Sequence, residues 1–264
     1  MKPGRSFLEF NCIQENTAGK ADEIERLLQR VNANYIEHLM IRHCLHLQVQ
    51  PYLKNLKYLL AMKIFNVSTL EWGEDAALTN SHHPTMQIVY LVEVNMVELP
   101  QGLLAADYPQ TLHQVMISRA NLTFLPDNLD TIWLKGMFLL LEECRLTEFP
   151  ELPLLILNGN PIQPLLSNLS DNSLSLLGWI QIRSTKISVL PDWLNAVASL
   201  YPVYIVTGNT PLCDRMIATG EAAHSLTFGP FGPTGIDCCT SWMESSNAFP
   251  IDFEEERNPS YVLA

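Results

Sequence analysis

Apolar side chains return along this chain at fixed offsets from a Leu-Pro or Phe-Pro pair. Four such pairs, Leu99-Pro100, Leu125-Pro126, Phe149-Pro150 and Leu190-Pro191, serve as anchors. Upstream of the first lie Val89, Leu91, Val94, Met96 and Leu99; upstream of the second, Val115, Ile117, Ala120, Leu122 and Leu125. The third gives Leu139, Leu141, Cys144, Leu146 and Phe149, and the fourth Ile180, Ile182, Ile187 and Leu190 with Thr185 between. An apolar-x-apolar pair puts two side chains on one face of a strand. The Pro then starts a turn, because its fixed φ suits a first helical position and its missing N–H costs little there. Leu103, Leu129 and Leu194, each three residues past the Pro, are expected to return to the core.

Copies of the pattern start at 36, 59, 86, 112, 136, 152, 177 and 201, so six of the seven intervals are 23 to 27 residues and one is 16. A period of this size means stacked units, none of which can bury its apolar strand face alone. The shared template is LxxLxLxxNxLxxLP, and Leu152 to Ile162, reading LPLLILNGNPI, matches LxxLxLxxNxL in full with Asn160 in the Asn position. In this the chain resembles the leucine-rich-repeat superfamily. The resemblance implies an α/β fold: a right-handed leucine-rich-repeat solenoid, or horseshoe, with a parallel β-sheet on its concave face and turns or short helices on the convex face. The array would span 36–212, with a strand-plus-helix cap at 1–35 and a C-terminal cap with an acidic tail at 213–264. The Asn position departs from the family, holding Cys44, Val67, Val94, Ala120, Cys144, Asn160, Thr185 and Asn209. Val and Ala offer no polar atom, so either Asn95 and Asn121 one position later take over or those turns are irregular.

The cap assignment rests on Ile24, Leu27, Leu28 and Val31 sharing one helical face after a first strand around Phe7, Leu8 and Phe10. At the other end the repeat fades into Gly229 to Gly235, reading GPFGPTG, and the acidic Glu254-Glu255-Glu256. The polar stretch from Trp72 to Pro84 falls in a convex position and lengthens one interval.

A net charge of -12 and a pI near 4.9 disfavour nucleic acid and anionic membrane surfaces as partners, since the electrostatic terms are repulsive. The apolar run Met137 to Leu141 is far short of the roughly 18 residues needed to cross a bilayer, and no secretion signal is visible at the start. Six cysteines are too sparse for a disulfide framework. A reducing, cytoplasmic setting with Cys213, Cys238 and Cys239 as buried structural thiols is therefore expected. The alternative is a fragment of a membrane-anchored or secreted protein.

The histidines His38, His43 and His46 fall on different faces of one strand and turn, and His82-His83 is a loop pair, so no metal site is expected. No phosphate-binding loop, dinucleotide fingerprint or nucleophile motif occurs, which leaves no catalytic residue and no cofactor to assign. The informative surface is the outward side of the strands, at offsets 3, 5, 7 and 8 of each repeat. There Ile88, Tyr90, Met116, Phe138, Leu140, Leu154, Ile156, Trp179 and Arg183 are expected to bind a partner protein, with Glu93, Arg119, Glu142 and Glu143 as a charged rim. The functional expectation is a non-catalytic protein–protein interaction module. A ligand-recognition fragment of a larger membrane receptor or kinase-linked protein is the second reading.

Overall fold

The computed structural model describes residues 7–133, 137–148, 155–163, 179–190, 203–220, 227–229 and 232–238. The chain divides into two compact units, the first holding the described residues up to 133 and the second those from 137 onward. The first unit is a parallel sheet in the order β1 (Phe7–Asn11), β2 (His38–Cys44), β4 (Ala61–Val67), β6 (Ile88–Val94) and β7 (Gln114–Ser118). Its register follows the repeat, with Leu39, Met62, Val89 and Val115 aligned strand to strand, and Ile41, Ile64, Leu91 and Ile117 likewise. All eight side chains are buried and form the core. A minor parallel pair, β3 (Leu47–Gln48) with β5 (Leu70–Glu71), follows the first two turns.

The returning segments are short. One-turn 3-10 helices form at Pro51–Asn55, Glu74–Ala76 and Gln101–Leu103, and a single α turn at Leu129–Ile132. Leu103 and Leu129 drop from them into the core, as the spacing from Pro requires, and Leu53 is buried as well, whereas Leu194 lies outside the described residues. The long interval is structured rather than a loose loop. Trp72 lies against Gly102, where a Cβ would fall 2.0 Å from the indole, and its Nε1 donates to the Ala76 carbonyl at 2.8 Å.

The second unit stacks β8 (Phe138–Glu142), β9 (Leu155–Ile156), β10 (Trp179–Gln181), β11 (Tyr204–Val206) and β13 (Gly232–Asp237) in parallel, with β12 (Thr227–Gly229) antiparallel to β13. The 16-residue interval keeps the frame, because Leu139 aligns with Leu155 and then Ile180. One expectation fails here. Ile180 aligns with Ile205, not Tyr204, so the last repeat starts at 202 rather than 201. Its inward positions are Ile205, Thr207 and Thr210, all buried, while Asn209 is exposed. The Tyr204 ring and Asn209 amide misled the alignment because a Thr, Thr207, fills the inward sixth position that Leu or Ile holds in the other repeats.

One backbone signature recurs with the corrected frame. The eighth position of every repeat is left-handed: His43, Asn66, Glu93, Arg119, Glu143, Ser184 and Asn209 have φ between 49° and 57°, and Gly159 has 73°. This conformation costs an L-residue on the order of 1 kcal/mol or more. Its repetition shows that the turn leaving each strand demands it.

The ninth position then points inward. Asn160 donates from Nδ2 to the Leu141 and Leu157 carbonyls at 2.6 and 3.0 Å and accepts from the Leu146 amide at 3.2 Å. Thr185 and Thr210 each satisfy one carbonyl, and the Cys144 thiol donates weakly to the Glu142 carbonyl. After Val94 and Ala120 an outer ladder forms instead: Asn95 donates to the Ser68 carbonyl at 3.0 Å, and Asn121 donates to the Asn95 side-chain oxygen.

The cysteines correct a second expectation. Cys12 is bonded to Cys44 and Cys213 to Cys238, so Cys213 and Cys238 are not structural thiols; Cys144 is buried, and Cys239 lies outside the described residues. The first bridge ties the end of β1 to the end of β2, close against Gly19, which precedes the helix Ala21–Leu28 that buries Ile24 and Leu28. The second ties the helix Pro211–Thr219 to the end of β13, in a small cluster with Leu212 and Met216. Sparse cysteines concealed the pairing because each bridge joins residues 32 or 25 apart in sequence that the stacking places side by side.

Candidate binding face

The outward side of each sheet carries the residues singled out for recognition, and the two units treat it differently. In the first unit Tyr90 and Met116 are aligned with Lys63 and Met40 at the same offset, and all four are buried; Lys63 and Met116 are 0% exposed. Arg42 and Phe65, two positions on, are buried too. Ile88 is half-buried. Gln114 donates to the Tyr90 hydroxyl at 3.0 Å, and burial pushes that phenol's pKa up.

Cations on this face are held. Arg42 donates from Nε and Nη2 to one oxygen of Glu9 at 2.8 and 2.5 Å. The Lys63 ammonium sits 5.5 Å from the centre of the Phe65 ring. Arg119 pairs with Glu93 at 3.0 Å along the row of left-handed residues, so two of the expected rim charges meet each other. His43 stands edge-on to Phe65 and near the Asn66 amide, 3.2 Å from its Nδ1. Burial, then the Arg42 charge, lowers its pKa to about 4 against a smaller opposing effect of Glu9.

In the second unit the same side is a polar strip. Glu142 accepts from the Asn158 amide at 3.0 Å; that amide also donates to Gln181 at 3.2 Å, and the Asn158 oxygen accepts from the Arg183 backbone at 3.0 Å. The Arg183 guanidinium donates to the Gln181 oxygen at 2.5 Å. Glu142 and Asn158 are buried, whereas Gln181 and Arg183 remain half-buried. At the other end of these strands Phe138 is 47% exposed and Ile156 half-buried, while Leu140 is only 6% exposed. Farther along, the Tyr204 hydroxyl donates to Asp237 at 2.7 Å. Trp179 opens β10, but its side chain, like all of Leu154, lies outside the described residues. Arg42 and Asn158 were not among the sequence-derived candidates, although both stand at the seventh offset that picked out Glu142 and Arg183.

The histidines do structural work. His83 is fully buried, its Nε2 3.0 Å from the Leu53 carbonyl and its Nδ1 accepting from the Thr79 amide, and His46 pairs with Glu71 at 2.9 Å. Among the described residues no group of three His, Cys, Asp or Glu is placed to hold a metal ion, and no helix is long and apolar enough to cross a membrane.

Parallel strands in common register, short returns, a left-handed eighth position and an inward ninth define a leucine-rich-repeat solenoid. Among solved structures, an internalin-like protein of Listeria monocytogenes shares this fold with a TM-score of 0.53 at 15% identity, over 77% of this chain and 59% of that one. At that identity the likeness establishes the fold alone. No family model and no curated protein matches the chain.

Proposed function

We propose that this chain is a non-catalytic recognition module that binds a partner protein on the outward side of its strands, centred on the second unit. The carrying observation is the strip formed by Glu142, Asn158, Gln181 and Arg183. Hydrogen bonds linking successive strands hold the Arg183 guanidinium there, and Phe138 stands exposed at the other end of the same strands. A pre-oriented Arg and an exposed aromatic on one face suit recognition, because little side-chain freedom is lost when a partner arrives. A net charge of -12 directs the choice toward proteins rather than nucleic acid.

The disulfides refine the setting. Bridges that persist require an oxidising compartment, so a secreted or luminal location is favoured over the reducing one that the cysteine count suggested. This also favours the reading of a ligand-recognition part of a larger extracellular protein over that of a cytoplasmic scaffold.

The test uses Phe138→Asp combined with Arg183→Glu. Neither side chain is fully buried, so circular dichroism and thermal midpoint should stay near wild type. Capture of the partner retained by the wild-type chain should fall at least tenfold in affinity, measured by biolayer interferometry. Undiminished binding by a folded double variant would refute this site. Leu140, Tyr90 and Met116 are poor choices for the same experiment, since their burial makes a charged substitution a test of folding.

A further inference from the structure

The turn that leaves β7 presents one asparagine in a setting that differs from its counterparts. Arg119 is left-handed, Ala120 turns into the core, and Asn121 then stands in the outer ladder at the strand ends, donating from Nδ2 to the Asn95 side-chain oxygen. On the next rung the Thr123 amide and hydroxyl both donate to the Val97 carbonyl, at 3.1 and 3.2 Å. Asn95 and Thr123 are exposed, and so are the apolar Val97, by 57%, and Phe124, by 53%. Asn121, Leu122 and Thr123 make up an Asn-x-Thr triplet, the acceptor pattern for N-linked sugar in a surface loop of a secreted protein. Two further triplets occur. Asn66-Val67-Ser68 holds its amide 3.2 Å from Nδ1 of the buried His43, and Asn168-Leu169-Ser170 lies outside the described residues.

We propose that Asn121 carries an N-linked glycan, an inference that rests on the secreted or luminal setting proposed above. The donor is an oligosaccharide carried on a lipid diphosphate. Asn121 Nδ2 forms a bond to the anomeric carbon, the anomeric carbon–oxygen bond breaks, the diphosphate leaves with the electron pair, and the amide gives up one proton. The substituted amide keeps its second N–H, which is enough for the donation to Asn95, so the ladder survives modification. The first sugar has an apolar ring face, and Val97 and Phe124 on the neighbouring rung are exposed apolar ground for it to cover. At Asn66 a sugar would instead displace the His43 ring from its place against Phe65. The glycan keeps the Asn95–Asn121 rim of the first unit in water and a partner off it.

Mass spectrometry of peptides from the full chain, purified without reductant from the cells that produce it, tests the inference. An oligosaccharide mass should be found on Asn121 and none on Asn66. In the same cells Asn121→Gln and Thr123→Ala should each lose that mass from the secreted chain, whereas Thr123→Ser, which keeps the acceptor hydroxyl, should retain it. A chain that shows the Cys12–Cys44 and Cys213–Cys238 links but a bare Asn121 overturns the glycan and leaves the setting standing. A chain recovered with those four cysteines reduced overturns the setting, and this inference with it. Sugar on Asn66 in place of Asn121 also overturns the proposal.

Discussion

His43 illustrates how a single position carries several demands. It occupies the left-handed eighth place of its repeat, stands against Phe65 and lies near the Asn66 amide. Its pKa falls to about 4, so between pH 6.5 and about 4 the unfolded chain takes up a proton that the folded ring does not. Stability contributed by neutral His43 is complete above pH 6.5 and is lost as the pH falls through that window. His83, also shifted down by burial, adds an effect of the same sign. Asn tolerates the left-handed conformation, so His43→Asn should fold, and its thermal midpoint should fall less steeply than that of wild type from pH 6.5 to 4.5. Parallel slopes would show that His43 does not titrate as described. None of this is visible in the sequence, where His43 is one of several scattered histidines. Its shift arises first from burial, which the stacking of the strands produces, and then from the charge of its sequence neighbour Arg42.

At the level of the repeat, the strand positions were readable because alternating apolar residues leave one way to bury a strand. The register Leu139 to Leu155 to Ile180 follows from the anchors alone. The last repeat was misplaced by one residue because its core positions 207 and 210 hold Thr rather than apolar residues: Thr210 donates to the Thr207 carbonyl, and the Thr207 hydroxyl lies against the Cys213 sulfur. The left-handed eighth position was invisible for a related reason: His, Asn, Glu, Arg, Ser and Gly share no side-chain property there, only a backbone angle. Where that residue is Gly159, an added Cβ would also meet Glu143 Cγ at 2.9 Å and the Glu143 backbone at 3.3 Å. Gly159→Ala should therefore destabilise the second unit by about 1–3 kcal/mol, seen as a lower urea midpoint with an unchanged slope. A midpoint equal to wild type would mean that the turn relaxes freely.

For the molecule as a whole, both disulfides close terminal parts of the described repeats, where the stacked core would otherwise meet water. Peptide mapping without reductant should recover the Cys12–Cys44 and Cys213–Cys238 links. The Cys12→Ser, Cys44→Ser variant should lose about 2–4 kcal/mol of unfolding free energy in denaturant titrations of the first unit. Equal stability of that variant and wild type would reduce the bridge to a bystander. The sequence by itself determined the repeat, its strands, the inward residues and the lack of a catalytic motif, because periodic burial is a local property of the chain. The cysteine pairs, the polar strip from Glu142 to Arg183 and the burial of Lys63, Tyr90 and Met116 were decided only in the tertiary structure. Each depends on groups from different repeats or distant segments, and which of these meet is fixed by stacking rather than by neighbourhood along the chain.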